Sequence, residues 1–193
     1  MPKVLKLLGL LLVSVWPQQS SASTSTAPCG LSNLSACRTT NNLVWDADFE
    51  QALGLFLGDR QAAYLYERGP VRDQAMAVLG GPPDTPVSVG NLYRFTACRA
   101  HSCSEKGAVV LTPGGQIMAV AILHTVCATS PRPPRCTLKT RLAVYLHPDT
   151  DRALIVRDLS LWAENAVARS YTPPGLSRPA LDGVDVLAAG SNE

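Results

Sequence analysis

Three pairs of closely spaced cysteines constrain the fold of this chain more than any other feature of its sequence. The 6 cysteines allow many pairings, and the simplest is three local disulfides, each closing a short loop. In the chain-entropy model each such bridge contributes only about 2–3 kcal/mol. Bridges of this kind order the loops that they close, so the core must come from the rest of the chain. The expected pairs are Cys29–Cys37, Cys98–Cys103 and Cys127–Cys136.

Residues 1–22 are typical of a secretory signal peptide, which would deliver the chain to the oxidising compartment that disulfides require. Lys3 and Lys6 precede the apolar run 7–16, and Ser20-Ser21-Ala22 offers the small residues at which a signal peptidase cleaves. The run is shorter than the ~20 apolar residues that span a bilayer. The sequence therefore predicts an exported protein that is not an integral membrane protein.

The segment Leu34-Ser35-Ala36-Cys37 raises an alternative, because it is similar to the cleavage box of a bacterial lipoprotein. Such a box directly follows the apolar run of its signal peptide. Here a Pro/Gln/Ser/Thr stretch separates the two. The spacing therefore favours a secreted chain over a lipid-anchored one.

The charge of the chain argues against a nucleic-acid partner. The chain contains 17 lysines and arginines and 15 aspartates and glutamates, and removal of Lys3 and Lys6 with the signal peptide makes the two counts equal. Nucleic-acid binding depends on a basic surface that neutralises phosphates. A near-neutral chain also gains little electrostatic steering toward a charged partner.

Hydrophobic periodicity predicts one α+β domain over residues 46–168, with an antiparallel β-sheet of about five strands flanked by amphipathic helices. The first helix is expected at about 48–58, with Asp48 as its N-cap. Residues 62–66 suit either a short strand or a helical turn. Further strands are expected at 92–98, 107–112, 116–126 and 139–146.

Composition and periodicity also characterise both ends of the mature chain. Residues 23–45 are rich in Ser, Thr and Asn and are interpreted as an N-terminal arm. A helical stripe over about 150–166 predicts a second helix, although 153–157 also suits a strand. Residues 169–193 are rich in Pro, Gly and Ser, which predicts a disordered C-terminal tail.

The segment Cys98-Arg99-Ala100-His101-Ser102-Cys103 carries the most specific functional signal. A ring this small has no interior, so its side chains are expected to point outward and form a protruding loop. Clamping also removes conformational entropy before binding, which improves affinity by lowering the cost of ordering. Arg99 adds a positive charge and His101 adds two ring nitrogens, both suited to a partner surface that bears carboxylates. The loop therefore indicates a binding tip rather than an active site.

The segment 93–103, followed by the apolar stretch 108–122, resembles the inhibitor of vertebrate lysozyme family, Ivy. The signature of that family is a Cys-Lys-Pro-His-Asp-Cys loop that follows a strand. Cys98, His101 and Cys103 match the two cysteines and the histidine of the signature. The order of a helix, then strand, loop, strand, turn and strand also matches.

The resemblance implies a periplasmic protein without enzymatic activity or cofactor that inhibits C-type lysozyme. In the family the loop enters the active-site cleft and its histidine meets the catalytic Glu and Asp, so that contact is assigned to His101. Arg99 stands where the family has lysine, and Ala100 and Ser102 replace its proline and aspartate. The alternative partner is one of the bacterium's own lytic transglycosylases. The resemblance also allows a homodimer.

A zinc site is the competing interpretation of the loop. Cys98, His101 and Cys103 would need a fourth ligand such as His124 or His147. The cysteine spacing is slightly long for the commonest zinc hook. In an exported protein a disulfide is favoured, and no metal site is expected.

The sequence contains no catalytic motif of the common hydrolase, metalloprotease or phosphate-binding kinds. The pairs Asp46/Asp48 and Asp149/Asp151 lie near expected helix starts, where helix capping accounts for them. Trp45 and Trp162 are expected to anchor the core.

Overall fold

The computed structural model describes residues 28–65, 67–128, 135–170 and 179–190. The predicted signal peptide over 1–22 lies outside the described residues. A 3-10 helix, Leu31–Ala36, precedes the first α-helix. The helices are α1 (Thr40–Val44), α2 (Ala47–Leu57), α3 (Val71–Leu79) and α4 (Arg152–Ala168). The strands are β1 (Gln61–Ala62), β2 (Gly69–Pro70), β3 (Val87–Val89), β4 (Leu92–Arg99), β5 (Ser102–Leu111), β6 (Ile117–Ala128), β7 (Arg135–Leu146) and β8 (Leu181–Ala188).

The predicted α+β class is confirmed, with a sheet of six strands in the order β3-β4-β5-β6-β7-β8. Each neighbouring pair from β3 to β7 is antiparallel, so this part of the sheet is a meander of consecutive strands. The sheet is mixed rather than purely antiparallel, because β8 pairs in parallel with β7. β1 and β2 form a separate two-stranded ribbon.

Helices cover both faces of the sheet, so its central strands are buried on both sides. We call the side packed by α1, α2 and α3 the N-terminal face and the side packed by α4 the C-terminal face. Successive residues of a strand alternate between the two faces. Val109 and Tyr145 therefore join the core of the N-terminal face, and Val110 and Val144 that of the C-terminal face. Burial on both sides explains why β5, β6 and β7 read as near-continuous apolar runs.

The prediction of a disordered tail over 169–193 is wrong for Leu181–Ala188, which form β8. Val184 and Val186 alternate with polar or small residues and pack on the C-terminal face. Between α4 and this strand lies the Pro-rich stretch 171–180, whose composition conceals the alternating pattern of the strand that follows it. Composition alone therefore missed the edge strand β8.

The N-terminal arm packs closely on the domain over the residues that the structure describes. Leu34, Leu43 and Val44 are buried in the core of the N-terminal face. The predicted Cys29–Cys37 disulfide is confirmed.

The predicted helices are confirmed with shifted boundaries. α2 is capped by Asp46 rather than Asp48: one Asp46 oxygen accepts the Asp48 backbone N–H at 3.3 Å, and the other accepts that of Leu31 at 2.9 Å. α4 is a helix through its whole length, so the competing strand at 153–157 does not form. Trp162 is buried as expected, but the prediction for Trp45 is wrong, since this side chain is 79% exposed.

No helix within the described ranges combines the length and the apolar character needed to span a bilayer.

Candidate functional site

The predicted loop is the tip of the β4–β5 hairpin, and the Cys98–Cys103 disulfide is confirmed. Arg99 pairs with Ser102, so the connection itself is a two-residue turn formed by Ala100 and His101. Both turn residues are exposed. His101 has a φ of 64°, in the left-handed region that histidine visits more readily than most side chains. The imidazole therefore stands at the apex of a turn that is held by both a disulfide and a strand pair.

A neighbouring segment, residues 81–84, supports the end of β4 below the turn; we call it the bracing segment. The Cys98 N–H donates to the Pro82 carbonyl oxygen at 3.0 Å, and the Asp84 N–H donates to the Thr96 carbonyl oxygen at 2.9 Å. A Cβ on Gly81 would lie 2.1 Å from the Cys98 carbonyl oxygen. Only glycine permits this close approach, so the bracing segment fixes β4 where the disulfide begins.

Arg99 departs from the prediction that the loop side chains point outward. Its Nη1 atom donates to Glu105 Oε2 at 2.8 Å, within the same hairpin. The Glu105 side chain is 4% exposed, whereas that of Arg99 is 33% exposed. The guanidinium therefore compensates a buried carboxylate of its own chain, and His101 is the loop residue that projects as expected.

Glu105 belongs to a series of polar side chains that lie across the N-terminal face of the sheet. His124 lies opposite Arg141 in the β6–β7 register, and the pairing of Lys106 with Leu123 places Glu105 beside His124. Arg141 donates two hydrogen bonds to the Asp185 carboxylate, at 3.0 and 2.5 Å. We call Arg99, Glu105, His124, Arg141 and Asp185 the polar row, because they come from the five successive strands β4 to β8.

Three members of the polar row have shifted proton affinities: the hydrogen bonds to Asp185 raise the pKa of Arg141, and the other two are His124 and Asp185. Burial lowers the pKa of His124, whose Nε2 atom has no hydrogen-bond partner among the described residues. The hydrogen bonds and the charge of Arg141 lower the pKa of the Asp185 carboxyl. His124 is therefore held neutral and Asp185 charged near neutral pH.

Two tyrosines lie beside the polar row. The Tyr64 ring lies 4.7 Å from that of His124, and its hydroxyl is 2.8 Å from the hydroxyl of Tyr145. Burial raises the pKa of both phenols. Sequence reasoning missed this cluster, although polar residues at core-facing positions of apolar strands, such as Glu105 and His124, are a usable signal.

A groove of about 630 Å³ opens beside the disulfide on the side of α4. Cys103 and Lys106 contribute from β5, and Trp162 and Arg169 contribute from the end of α4 and the residue after it. Asp84 of the bracing segment supplies a carboxylate to the same lining. The groove therefore places two cationic side chains next to the binding tip.

The zinc alternative loses both thiolates, because Cys98 and Cys103 are bonded to each other. His124 belongs to the polar row, and His147 lies within hydrogen-bond distance of Gln116, at 3.2 Å. Within the described ranges, no three His, Cys, Asp or Glu side chains are grouped so that they could hold a metal ion.

The remaining predictions concern other parts of the chain. Asp46 and Asp151 cap α2 and α4, which confirms the capping interpretation for these two acids. Cys127 and Cys136 are register partners in β6 and β7. Their side chains lie outside the described residues, so the third disulfide stays a prediction.

No family model, curated protein or solved structure matches this chain. The fold and the site together define an α+β domain that presents a disulfide-clamped hairpin turn.

Proposed function

We propose that this protein is a binding protein of the bacterial periplasm that inhibits C-type lysozyme by inserting the β4–β5 turn into the enzyme's active-site cleft. The observation that carries the proposal is the position of His101. It is exposed at the apex of a two-residue turn, and the Cys98–Cys103 disulfide closes the hairpin directly below it.

The local geometry supports this role through its rigidity. The disulfide, the Arg99–Ser102 strand pair and the bracing segment each restrict the backbone of the turn. Most of the conformational entropy of the tip is therefore lost on folding rather than on binding, which favours tight association.

The chemistry of the target supports the choice of histidine. Lysozyme cleaves its substrate with a protonated glutamic acid and an ionised aspartate, one on each side of the scissile bond. An imidazole has two ring nitrogens on opposite sides, and either can exchange hydrogen bonds with a carboxyl group. A rigid turn that carries such a ring between the two acids would exclude substrate and occupy both catalytic groups, without any reaction.

The charge around the tip favours the same kind of partner. Arg99 forms an ion pair with Glu105, whereas Lys106 and Arg169 line the adjacent groove. Both side chains lie near the base of the turn, where they would contact the rim of an acidic active-site cleft.

The direct test is clearing of a peptidoglycan suspension by a small panel of C-type lysozymes, with and without the oxidised protein. His101→Ala should weaken inhibition by about tenfold or more, which corresponds to a loss of about 1.4 kcal/mol. His101→Gly is the sharper variant, because glycine accepts the positive φ and removes the imidazole without straining the turn. Asn91→Ala, in the exposed β3–β4 turn, is the matched control and should inhibit like the wild type.

Full potency of His101→Gly would refute the role of the imidazole, and absence of inhibition against every lysozyme of the panel would refute the function. A lytic transglycosylase belongs in the same panel as the alternative target. Inhibition of that enzyme alone would assign the turn to control of the cell's own wall turnover.

A further inference from the structure

A second cavity lies on the N-terminal face, away from the β4–β5 turn. It has a volume of about 530 Å³ and shares no lining residue with the groove beside the disulfide. This volume lies within the range of small-molecule sites in proteins. Its polar lining consists of Asp59, Arg60, Gln61, Tyr64, Arg68 and Tyr145.

The hydrogen bond between the two tyrosine hydroxyls in this cavity leaves one of their two protons unused. Each phenol carries one proton, and the Tyr64–Tyr145 contact at 2.8 Å uses one of the two. Burial raises the pKa of both phenols, so both protons stay in place near neutral pH. No acceptor for the second proton exists among the described residues. Either hydroxyl can donate in the pair, so the second proton belongs to Tyr145, which is 2% exposed, or to Tyr64, which is half-buried; a buried donor without a partner is costly.

The arginines of the lining add positive charge around this donor. The guanidinium carbon of Arg60 lies 5.7 Å from the centroid of the Tyr145 ring, and Arg60 Nη1 donates to the Leu57 carbonyl oxygen at 3.3 Å. These contacts hold one cation in place above the tyrosine pair. Arg68 is exposed and forms no hydrogen bond or ion pair with the described residues. Among the described residues, Asp59 is the acidic residue of the lining, and Arg60 and Arg68 outnumber it.

We propose that this cavity binds a small molecule through an oxyanion, either a carboxylate or a phosphoryl group. The free hydroxyl proton of the tyrosine pair would donate to one oxygen of the ligand. Arg60 would supply positive charge, and the guanidinium of Arg68 would supply charge and paired N–H donors, which match the geometry of carboxylate and phosphate oxygens. The proposal is independent of lysozyme inhibition, because neither arginine nor either tyrosine contacts the β4–β5 hairpin turn.

Titration of the full-length, oxidised protein with inorganic phosphate and with acetate, followed by backbone amide NMR shifts, tests the proposal. Both anions are added as sodium salts against sodium chloride at equal ionic strength. We expect saturable shifts confined to residues 59–64, to Arg68 and to the C-terminal end of β7 around Tyr145. Saturation by phosphate alone assigns a phosphoryl ligand, and saturation by acetate alone or by both assigns a carboxylate-sized oxyanion.

Two variants identify the groups responsible. Arg68→Gln, at an exposed position, should weaken binding about tenfold without affecting the fold. The double variant Tyr64→Phe/Tyr145→Phe should do the same by removing both hydroxyls, because either single variant leaves one phenol proton free, with circular dichroism as the check on folding. Arg169→Gln, which removes a cation from the groove beside the disulfide, is the matched control and should bind normally.

The proposal is overturned if neither anion gives saturable shifts in this cavity. It is equally overturned if Arg68→Gln binds as tightly as the wild type, or if Arg169→Gln loses binding to the same extent. Inhibition of lysozyme, measured separately, is expected to be the same for wild type and Arg68→Gln.

Discussion

The ion pair between Arg99 and Glu105 is asymmetric, and the asymmetry predicts unequal costs for removing its two partners. The Glu105 side chain is 4% exposed and that of Arg99 is 33% exposed. Arg99→Gln leaves a carboxylate in the sheet interior without its charge partner. Breaking a fully buried pair in this way costs about 3–5 kcal/mol, and partial exposure of Arg99 reduces our expectation to about 2–3 kcal/mol. Glu105→Gln leaves a guanidinium that reaches water, at a cost of about 1 kcal/mol.

Urea unfolding of the oxidised protein at neutral pH measures these costs. The double variant should be less destabilised than the sum of the single variants, by about 1–2 kcal/mol, because the pair is in direct contact. Arg72→Gln is the matched control: it breaks the exposed Arg72–Asp73 pair and should cost less than about 1 kcal/mol. Equal costs for Arg99→Gln and Glu105→Gln, or strict additivity in the double variant, would refute the reasoning.

Three further variants test other parts of the structure. Gly81→Ala should destabilise the protein by about 1–3 kcal/mol in urea unfolding, because its Cβ would lie 2.1 Å from the Cys98 carbonyl oxygen. The control Gly69→Ala places its Cβ within 4 Å of no atom and should leave stability unchanged. Equal costs for the two variants would contradict the close approach at Gly81. Burial lowers the pKa of His124 from 6.5, so on acidification the unfolded chain binds this proton before the folded protein does. The free energy of unfolding is therefore unaffected by His124 above pH 6.5 and falls as the pH drops from there toward the pKa of the folded state. His124→Phe should therefore lose less stability than the wild type between about pH 7 and about pH 5, and an equal loss would show that another group is responsible. Asp185→Asn removes the paired hydrogen bonds from β7 and should speed amide hydrogen exchange across β8 but not β5; unchanged exchange in β8 would show that side-chain packing alone holds this strand.

The β4–β5 turn is predictable from the sequence because the residues that shape it are neighbours in the chain. Cys98 and Cys103 are close enough to bridge, and the flanking strands have the composition of strands. The partner of Arg99 is harder to see, because the same residue type in the same loop suits either an outward charge or an internal ion pair. The choice depends on Glu105 further along β5, a carboxylate whose burial cannot be inferred from the loop sequence.

The polar row and β8 lie beyond single-sequence reasoning for a related reason. His124 meets Arg141 only through the register of two long strands, and Asp185 joins them only after a parallel pairing between distant segments. Local periodicity indicates which face a residue takes within its strand, but not which residue stands opposite. Trp45 shows the converse error: its size favours the core, yet it lies between α1 and α2 where the chain leaves the surface uncovered.

β8 is the last of the described elements to be synthesised, and it completes the sheet. Until it arrives, the outer edge of β7 carries unpaired backbone groups, which is the surface from which chains aggregate. Its parallel pairing joins segments far apart in the chain, so this step is expected late in folding. A recombinant chain that ends after α4, as its composition would encourage, keeps that edge exposed permanently. Expression boundaries for this protein should therefore extend past Ala188.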